Sequence, residues 1–198
     1  MDYDAGNTLS VTRALEKVGA KVELTPDPER VANAEAIVLP GVGAFGDCMR
    51  KLEERGMDSA CRDAFRAGTP FLGVCVGLQV LFEGSEESPG VDGIGILPGT
   101  VRRFGAEGLK VPHMGWNGLE LRREHPVFDG VDGEAFYFVH SYYPEPESAE
   151  DLIGVSDYGG PFCAAAGRDS LVAVQFHPEK SSRAGLEIYE NFLSWARG

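Results

Sequence analysis

Apolar residues along the first third of the chain recur first at the spacing of a helix face and then in short, continuous runs. Leu9, Thr12, Leu15 and Val18 fall three apart with Gly19 next, which predicts a helix over 8–18 that stops at the glycine. "KVEL" (21–24) and "AIVLP" (36–40) read as short strands separated by a Pro/Asp turn, and 47–67 reads as one or two amphipathic helices broken at Gly56. "PFLGV" (70–74) has the unbroken apolar character of a strand covered on both faces, and "CVGLQVLFEG" (75–84) follows as a helix. Strand and helix alternate, so this half predicts an open α/β sheet whose parallel core strands are flanked by helices.

From about residue 94 the runs shorten. "IGILPGTVRRF", "LKVPHMGWNGLELR", "AFYFVHSYY", "LIGVSDYG", "FCAAAGR" and "LVAVQF" are β-rich, closely separated by turns, and predict a largely antiparallel second half. A closing amphipathic helix, "GLEIYENFLSWAR", sets Leu186, Tyr189, Leu193 and Ala196 on one stripe expected to cover the sheet. With no repeat and no low-complexity linker, residues 1–198 are expected to form a single domain. One element is out of place. An α/β sheet ordinarily opens with a strand, whereas "MDYDAGN" leads directly into the first helix, so the first strand is expected to be truncated, leaving a hole beside its neighbour.

Composition narrows the function. No apolar run approaches the roughly 18 residues needed to span a bilayer, and the N-terminus has neither the basic region nor the apolar core of a targeting signal, so the cytoplasm is the expected location. Thirty-one acidic residues against eighteen basic give a formal charge of −13, which repels phosphate backbones and anionic lipid. The arginine pairs Arg102–Arg103 and Arg122–Arg123 read as solvated strand ends. Cysteines at 48, 61, 75 and 163 show no C-x-x-C spacing and no histidine at a metal-like interval, so neither a metal nor another cofactor is expected, and the default for each thiol is a small core residue.

Cys75 departs from that default. It stands between an apolar strand and a helix with Gly73 and Gly77 two residues to either side, which is what a nucleophile on a crowded strand-to-helix turn requires. The same position puts the sulfur at a helix N-terminus, where the macrodipole favours the thiolate. Alone, G-x-C-x-G also fits a core cysteine in a glycine-rich strand end. A thiol nucleophile needs a base, and His177 follows the apolar run "SLVAVQF" and precedes Pro178 and Glu179. In an extended segment residues two apart point the same way, so Glu179 is placed to hold one ring nitrogen of His177 while the other faces the sulfur. "LPGVGAFGD", with Gly41, Gly43 and Gly46, offers backbone N–H groups around Val42 and Gly43 for an oxyanion, with the Val76 N–H as a second donor. By itself this loop also fits an ordinary βα turn, or a phosphate loop lacking the G-K-[ST] ending. The three signals reinforce one another, each in its proper structural context.

Together these residues resemble the class I (triad) glutamine amidotransferases, whose elbow, here "GVCVGLQ", and downstream "HPE" carry a Cys–His–Glu triad. The likeness covers nearly the whole chain. Within the family, "LPGVGAFGD", "PHMGWN" and "FVHSYY" are similar to one branch, the glutaminase subunits of imidazole glycerol phosphate synthase in histidine biosynthesis. The resemblance implies the amidotransferase fold, and hydrolysis of glutamine to glutamate and ammonia through a thioester on Cys75, with His177 moving the proton. Gln79, Glu87, Ser141 and Tyr142 match positions that hold glutamine, and Gly43 lies in an oxyanion strand whose peptide flips before it donates. Asn7, Trp116 and Lys180 match positions that face the partner of a heterodimer. That partner is a (β/α)8-barrel cyclase that receives the ammonia and makes imidazole glycerol phosphate and aminoimidazole carboxamide ribonucleotide. Val76 and Leu78 stand where Leu and Met are common, and Asp4 stands where the pattern "DYGxGN" has glycine. A thiol esterase or peptidase on a similar fold would share the elbow but has no use for "PHMGWN". A non-catalytic binding module would need none of Cys75, His177 and Glu179.

Overall fold

The computed structural model describes residues 1–4, 6–105 and 108–198. Helix α1 (Thr8–Lys17) ends at Gly19, whose φ of +87° only glycine adopts without cost. A short helix α2 (Pro28–Ala32) then stands where only a turn was expected; Pro28 opens it and the Asp27 carboxylate accepts from the Glu29 N–H at 2.9 Å. Strand β1 (Ile37–Gly41) leads into α3 (Phe45–Glu54) and α4 (Met57–Arg66), divided at Gly56, which sits in the left-handed region at φ +67°. Asp4, where the family pattern has glycine, also has a positive φ, +60°. Lys51 donates to its carbonyl and Arg55 pairs with its carboxylate, which holds the strained residue in place.

Strand β2 (Phe71–Cys75) is buried at every position, as its unbroken apolar sequence requires. The helix that follows, α5 (Val76–Gln79), lasts one turn rather than the ten residues expected. The reason lies in where its carbonyls go. Those of Val80, Leu81, Phe82 and Glu83 accept from the amides of Ile94, Ile96 and Leu97, Gly95 and Gly93, respectively, so the chain 93–97 takes the acceptors a longer helix would use. The apolar residues 80–82 are thereby enclosed on all sides rather than on one helical stripe.

The remaining strands are β3 (Gly84–Ser85), β4 (Gly99–Arg103), β5 (His113–Gly118), β6 (Glu120–Leu121), β7 (Ala135–His140), β8 (Tyr142–Pro146), β9 (Leu152–Asp157), β10 (Pro161–Arg168) and β11 (Leu171–Val174). The main sheet runs β1-β2-β11-β10-β9-β6. Its first three strands are parallel and the rest antiparallel, so the class I amidotransferase-like mixed sheet expected from sequence is the one observed. Strand β11, read with the antiparallel half, pairs antiparallel with β10 but also parallel with β2, and β3 pairs parallel with β4. A three-stranded sheet β3-β4-β8 and a ribbon β5-β7 complete the β-rich half. Arg102 pairs with Glu86 and Glu145, and Arg122 with Glu120, so neither arginine pair forms a free basic patch.

Two other expectations are corrected. Residues 21–24 join no strand among the described residues: a recess of about 650 Å³, lined by Lys21–Thr25 on one side and Ala36–Val38 on the other, lies between "KVEL" and the edge strand β1, so the two do not pair. Helix α6 (Ser182–Ala196) buries Ala184, Gly185, Ile188, Tyr189 and Phe192, leaving Leu186, Leu193 and Ala196 partly exposed. The buried stripe is rotated by about one residue from the predicted one because Gly185 packs against the Pro178 carbonyl, where a Cβ would collide. No helix among the described residues is long and apolar enough to cross a membrane.

Candidate active site

Register in the parallel strands puts the chemistry at one end of the sheet. Gly41 of β1 lies opposite Cys75 of β2, and Val174 of β11 opposite Val74, so the segments leaving all three strands converge beyond their carboxyl ends. Cys75 itself has φ 57° and ψ −113°, a conformation that costs a non-glycine residue about 1–3 kcal/mol and that swings its side chain out of the sheet. Tight packing keeps it there. A Cβ on Gly77 would collide with the Leu39 carbonyl oxygen of β1, and one on Gly73 would lie 2.9 Å from the Ala173 Cβ and 3.0 Å from the Gly77 oxygen. The elbow therefore closes only with glycine at both positions.

His177 and Glu179 meet as expected, with His177 Nδ1 2.8 Å from Glu179 Oε1 and their side chains 3% and 0% exposed. The route differs. His177 is extended, but Pro178–Lys180 forms a 3-10 turn, and this turn rather than strand alternation brings the carboxylate under the ring. The turn is anchored by the His177 N–H to the Tyr137 carbonyl at 2.9 Å and by Ser181 Oγ, which donates to the His177 carbonyl at 2.7 Å and accepts from Tyr137 N–H at 2.9 Å. Burial opposes a charge on His177, yet hydrogen bonds and charges from Cys75 and Glu179 outweigh it and raise the pKa from 6.5 to about 10. Burial likewise opposes ionisation of Glu179, and the His177 hydrogen bond and charge overcome it, holding the carboxyl below its ordinary value. This electrostatic balance fits a protonated His177 held between the sulfur of Cys75 and the Glu179 carboxylate. With α5 a single turn, its dipole is weak, and His177 rather than the helix is the main source of positive charge for the sulfur.

Cys75 and His177 open onto a cleft of about 310 Å³, together with Val42, Gly43, Val76, Gln79, Glu87, Ser141 and Tyr142; Lys180 is at its exposed rim. Glu179 lies behind His177. The Val42 carbonyl accepts from Cys48 Sγ at 3.5 Å, and because the peptide is planar and trans the Gly43 N–H points away from Cys48. Gly43 has φ +99°, so the loop takes a path open to glycine. Glu87 Oε2 accepts from the Phe45 N–H at 2.7 Å and Ser88 Oγ from Gly46 N–H at 3.0 Å, which caps α3, a helix with no side-chain cap of its own. Gln79 Nε2 donates to the Tyr142 carbonyl and to Gln175 Oε1, each at 3.0 Å, leaving Gln79 Oε1 as its remaining polar atom for a ligand.

The three residues expected at an interface take different positions. Trp116 is 54% exposed and Met114, on the same face of β5, 63%. Asn7 is half-buried, and its Nδ2 donates to Glu179 Oε1 at 3.2 Å, so it supports the triad from the start of α1. Sequence reasoning did not find that contact, nor Gln175, whose Nε2 lies 3.8 Å from Cys75 Sγ, nor the cleft residues Pro112, Val139 and His140. Gln175 did leave a signal: it precedes His177 by the same two-residue interval by which Glu179 follows it. Among the described residues no group of three or more His, Cys, Asp or Glu side chains could hold a metal ion.

The chain is 50% identical over 199 residues to the imidazole glycerol phosphate synthase subunit HisH of Syntrophotalea carbinolica, covering 97% of each. It is 49% identical to that of Moorella thermoacetica, covering 97% of this chain and 91% of that one. Among solved structures, a glutamine amidotransferase superposes with a TM-score of 0.77 at 19% identity over 98% of this chain and 96% of its own. The glutaminase domain of Trypanosoma brucei CTPS with bound acivicin superposes with a TM-score of 0.71 at 20% identity, covering 98% and 89%. These distant likenesses concern the fold alone. The family model for glutamine amidotransferase class-I matches residues 1–195, and with relatives half identical over nearly their full length, the chain belongs to the class-I glutamine amidotransferase family.

Proposed function

We propose that the chain is the glutaminase subunit of an imidazole glycerol phosphate synthase, acting in the cytoplasm in histidine biosynthesis as a heterodimer with a (β/α)8-barrel cyclase. The observation that carries the chemistry is the meeting, at one cleft, of a strained Cys75, a buried His177 and a fully covered Glu179. The relatives' names carry the pathway.

In this reading the Cys75 thiolate attacks the side-chain carboxamide carbon of glutamine. The resulting oxyanion accepts from backbone N–H groups at Gly43 and Val76, each a donor of the kind worth about 3 kcal/mol in a transition state. His177, charged at the outset, gives its proton to the amide nitrogen, the C–N bond breaks, and ammonia leaves a γ-glutamyl thioester on the sulfur. A water then attacks the thioester carbon while His177 takes its proton; collapse expels the thiolate and frees glutamate. Glu179 keeps Nδ1 protonated throughout, and Asn7 holds Glu179. Gln79 Oε1, an acceptor, suits the substrate's ammonium group, and Ser141 and Tyr142 line the same cleft. Ammonia released into neutral water would be protonated and lose its nucleophilicity, which is the physical reason for delivering it through a closed contact. The exposed Trp116, with Lys180 at the rim, is suited to that contact.

The test is to assay the cyclase with this chain and its nucleotide substrate. Cys75→Ala is expected to abolish synthesis from glutamine while ammonium salts still support it. Glutamine-dependent synthesis by the variant, or loss of both activities, would overturn the reading.

A further inference from the structure

We propose that Gln175 is a catalytic residue beside the triad: its side-chain amide donates to Cys75 Sγ, and a chain of hydrogen bonds with only one possible direction fixes it as a donor. The proposal rests on Cys75 being the nucleophile, as the reading above has it.

The direction follows from one backbone carbonyl. Tyr142 O is an acceptor only, so the Gln79 atom 3.0 Å from it must be Nε2. The same Nε2 lies 3.0 Å from Gln175, whose facing atom must then be the acceptor Oε1. Gln175 has no other orientation left, and its Nε2 is turned to Cys75 Sγ at 3.8 Å. Both amides would otherwise be free to flip, since their oxygen and nitrogen are nearly the same size. Here a peptide carbonyl two residues' reach away settles both. Gln175 is 0% exposed and Gln79 3%, so no solvent competes for these bonds.

The Tyr142 carbonyl is itself held from the other side. His140 Nδ1 lies 2.8 Å from it and must be the protonated nitrogen; His140 Nε2 is then bare and accepts from His113 Nδ1 at 3.0 Å. His113 Nε2 is bare in turn and faces Asn117 Nδ2 at 3.4 Å. A second imidazole charge has no place in this sequence of donors and acceptors, and burial accordingly depresses both histidines, His140 to about 3. The chain runs from Asn117 on β5, one residue from the exposed Trp116, to the carbonyl that orients Gln79 and Gln175.

A donor fixed at the sulfur stabilises the thiolate and cannot stabilise the thiol by accepting its proton, so it favours the reactive form and eases thiolate departure when the thioester breaks down. The titratable groups facing Cys75 are His177, His140, Glu87, Tyr142 and Lys180 around the cleft, with Cys48 and Tyr3 behind it. All remain when Gln175 alone is changed.

The experiment measures the pH midpoint of Cys75 alkylation by iodoacetamide, by mass mapping of the full chain, together with kcat and KM for glutamine in the presence of the cyclase. Gln175→Met removes the donor; Gln175→Glu keeps the bond to Gln79 but faces the sulfur with an acceptor. The midpoint is expected to rise by about one unit in the first and further in the second, with kcat down about tenfold and KM within about twofold. Midpoints within about 0.2 of the parent chain in folded variants would overturn the proposal whatever happens to kcat. Should neither variant fold, Gln79→Met leaves Gln175 free to turn and is expected to give a smaller upward change; no change there would also overturn it. Alkylation requires neither glutamine nor cyclase, so this result is independent of whether the chain proves to be a glutaminase.

Discussion

Replacing Glu179 by glutamine isolates the electrostatic contribution of the triad's carboxylate. Shape is nearly unchanged, and orientation is preserved, because His177 Nδ1 and Asn7 Nδ2 both donate to Oε1 and would hold the new amide's oxygen in the same place. What disappears is a buried negative charge 2.8 Å from the ring. A hydrogen bond to a charged group is worth about 1.5–3 kcal/mol, and one pKa unit corresponds to about 1.36 kcal/mol, so the His177 pKa should fall by about one to two. Starting from about 10, it would reach about 8–9. In the proposed mechanism the imidazolium is the proton donor to departing ammonia, so the alkaline limb of kcat for glutamine hydrolysis should move down by the same amount. Glutamate release measured with the cyclase from about pH 6 to 10.5 reads this directly. Stability follows with a definite sign. A folded-state pKa above the ordinary 6.5 stabilises the fold fully below that value, and this contribution is lost as pH rises through about 10. Glu179→Gln should therefore lower stability with its full effect near pH 6.5, and the deficit should shrink as the pH approaches 10. An alkaline limb that stays in place would refute the coupling of Glu179 to His177.

Further expectations concern the elbow, the acid limit and the surface. Gly77→Ala forces a Cβ into the Leu39 carbonyl and should cost about 3 kcal/mol, a Tm loss of about 6–12 °C, whereas Gly118→Ala, with nothing within 4 Å of its new methyl, should be nearly silent. Equal Tm values for the two would contradict the close approach of β1 and α5. His125 is depressed to about 4, first by burial and then by Arg123, so the unfolded chain takes up its proton before the folded one and stability falls as pH drops from 6.5 towards 4. His125→Asn keeps an acceptor for the Val127 N–H and should flatten that part of the curve in urea titrations; an unchanged slope would count against a neutral buried ring. Trp116→Ala should leave the isolated chain's Tm within about 2 °C and weaken cyclase binding at least about tenfold, measured by calorimetry. Undiminished affinity would place the interface elsewhere.

What the sequence disclosed depended on how local its cause was. The elbow was legible because the crowding around Cys75 acts through Gly73 and Gly77, two residues away, and β2 was legible because burial on both faces leaves an unbroken apolar run. His177 and Glu179 were paired correctly for an incomplete reason, since the 3-10 turn at Pro178–Lys180 rather than an extended segment brings them together. Where structure departed from expectation, distant partners decided. The carbonyls of 80–83 are taken by residues 93–97, which ends α5 early, and residues 21–24 lack the neighbouring strand that their pattern calls for. Asn7 reaches Glu179 across 172 positions of sequence, and no spacing rule reports on such a contact. Gln175 could have been found, because the interval that drew attention to Glu179 applies equally on the other side of His177.

The claim that Cys75 is a thiolate nucleophile poised by His177 is tested most directly by a glutamine-shaped electrophile such as a chloroketone, with peptide mass mapping of the chain after brief exposure. The account predicts one adduct, on Cys75, formed far faster than with free cysteine, slowed by glutamine and by His177→Ala, while the buried Cys48, Cys61 and Cys163 stay unmodified. Labelling spread over the other cysteines, or a Cys75 no more reactive than the free amino acid, would contradict it.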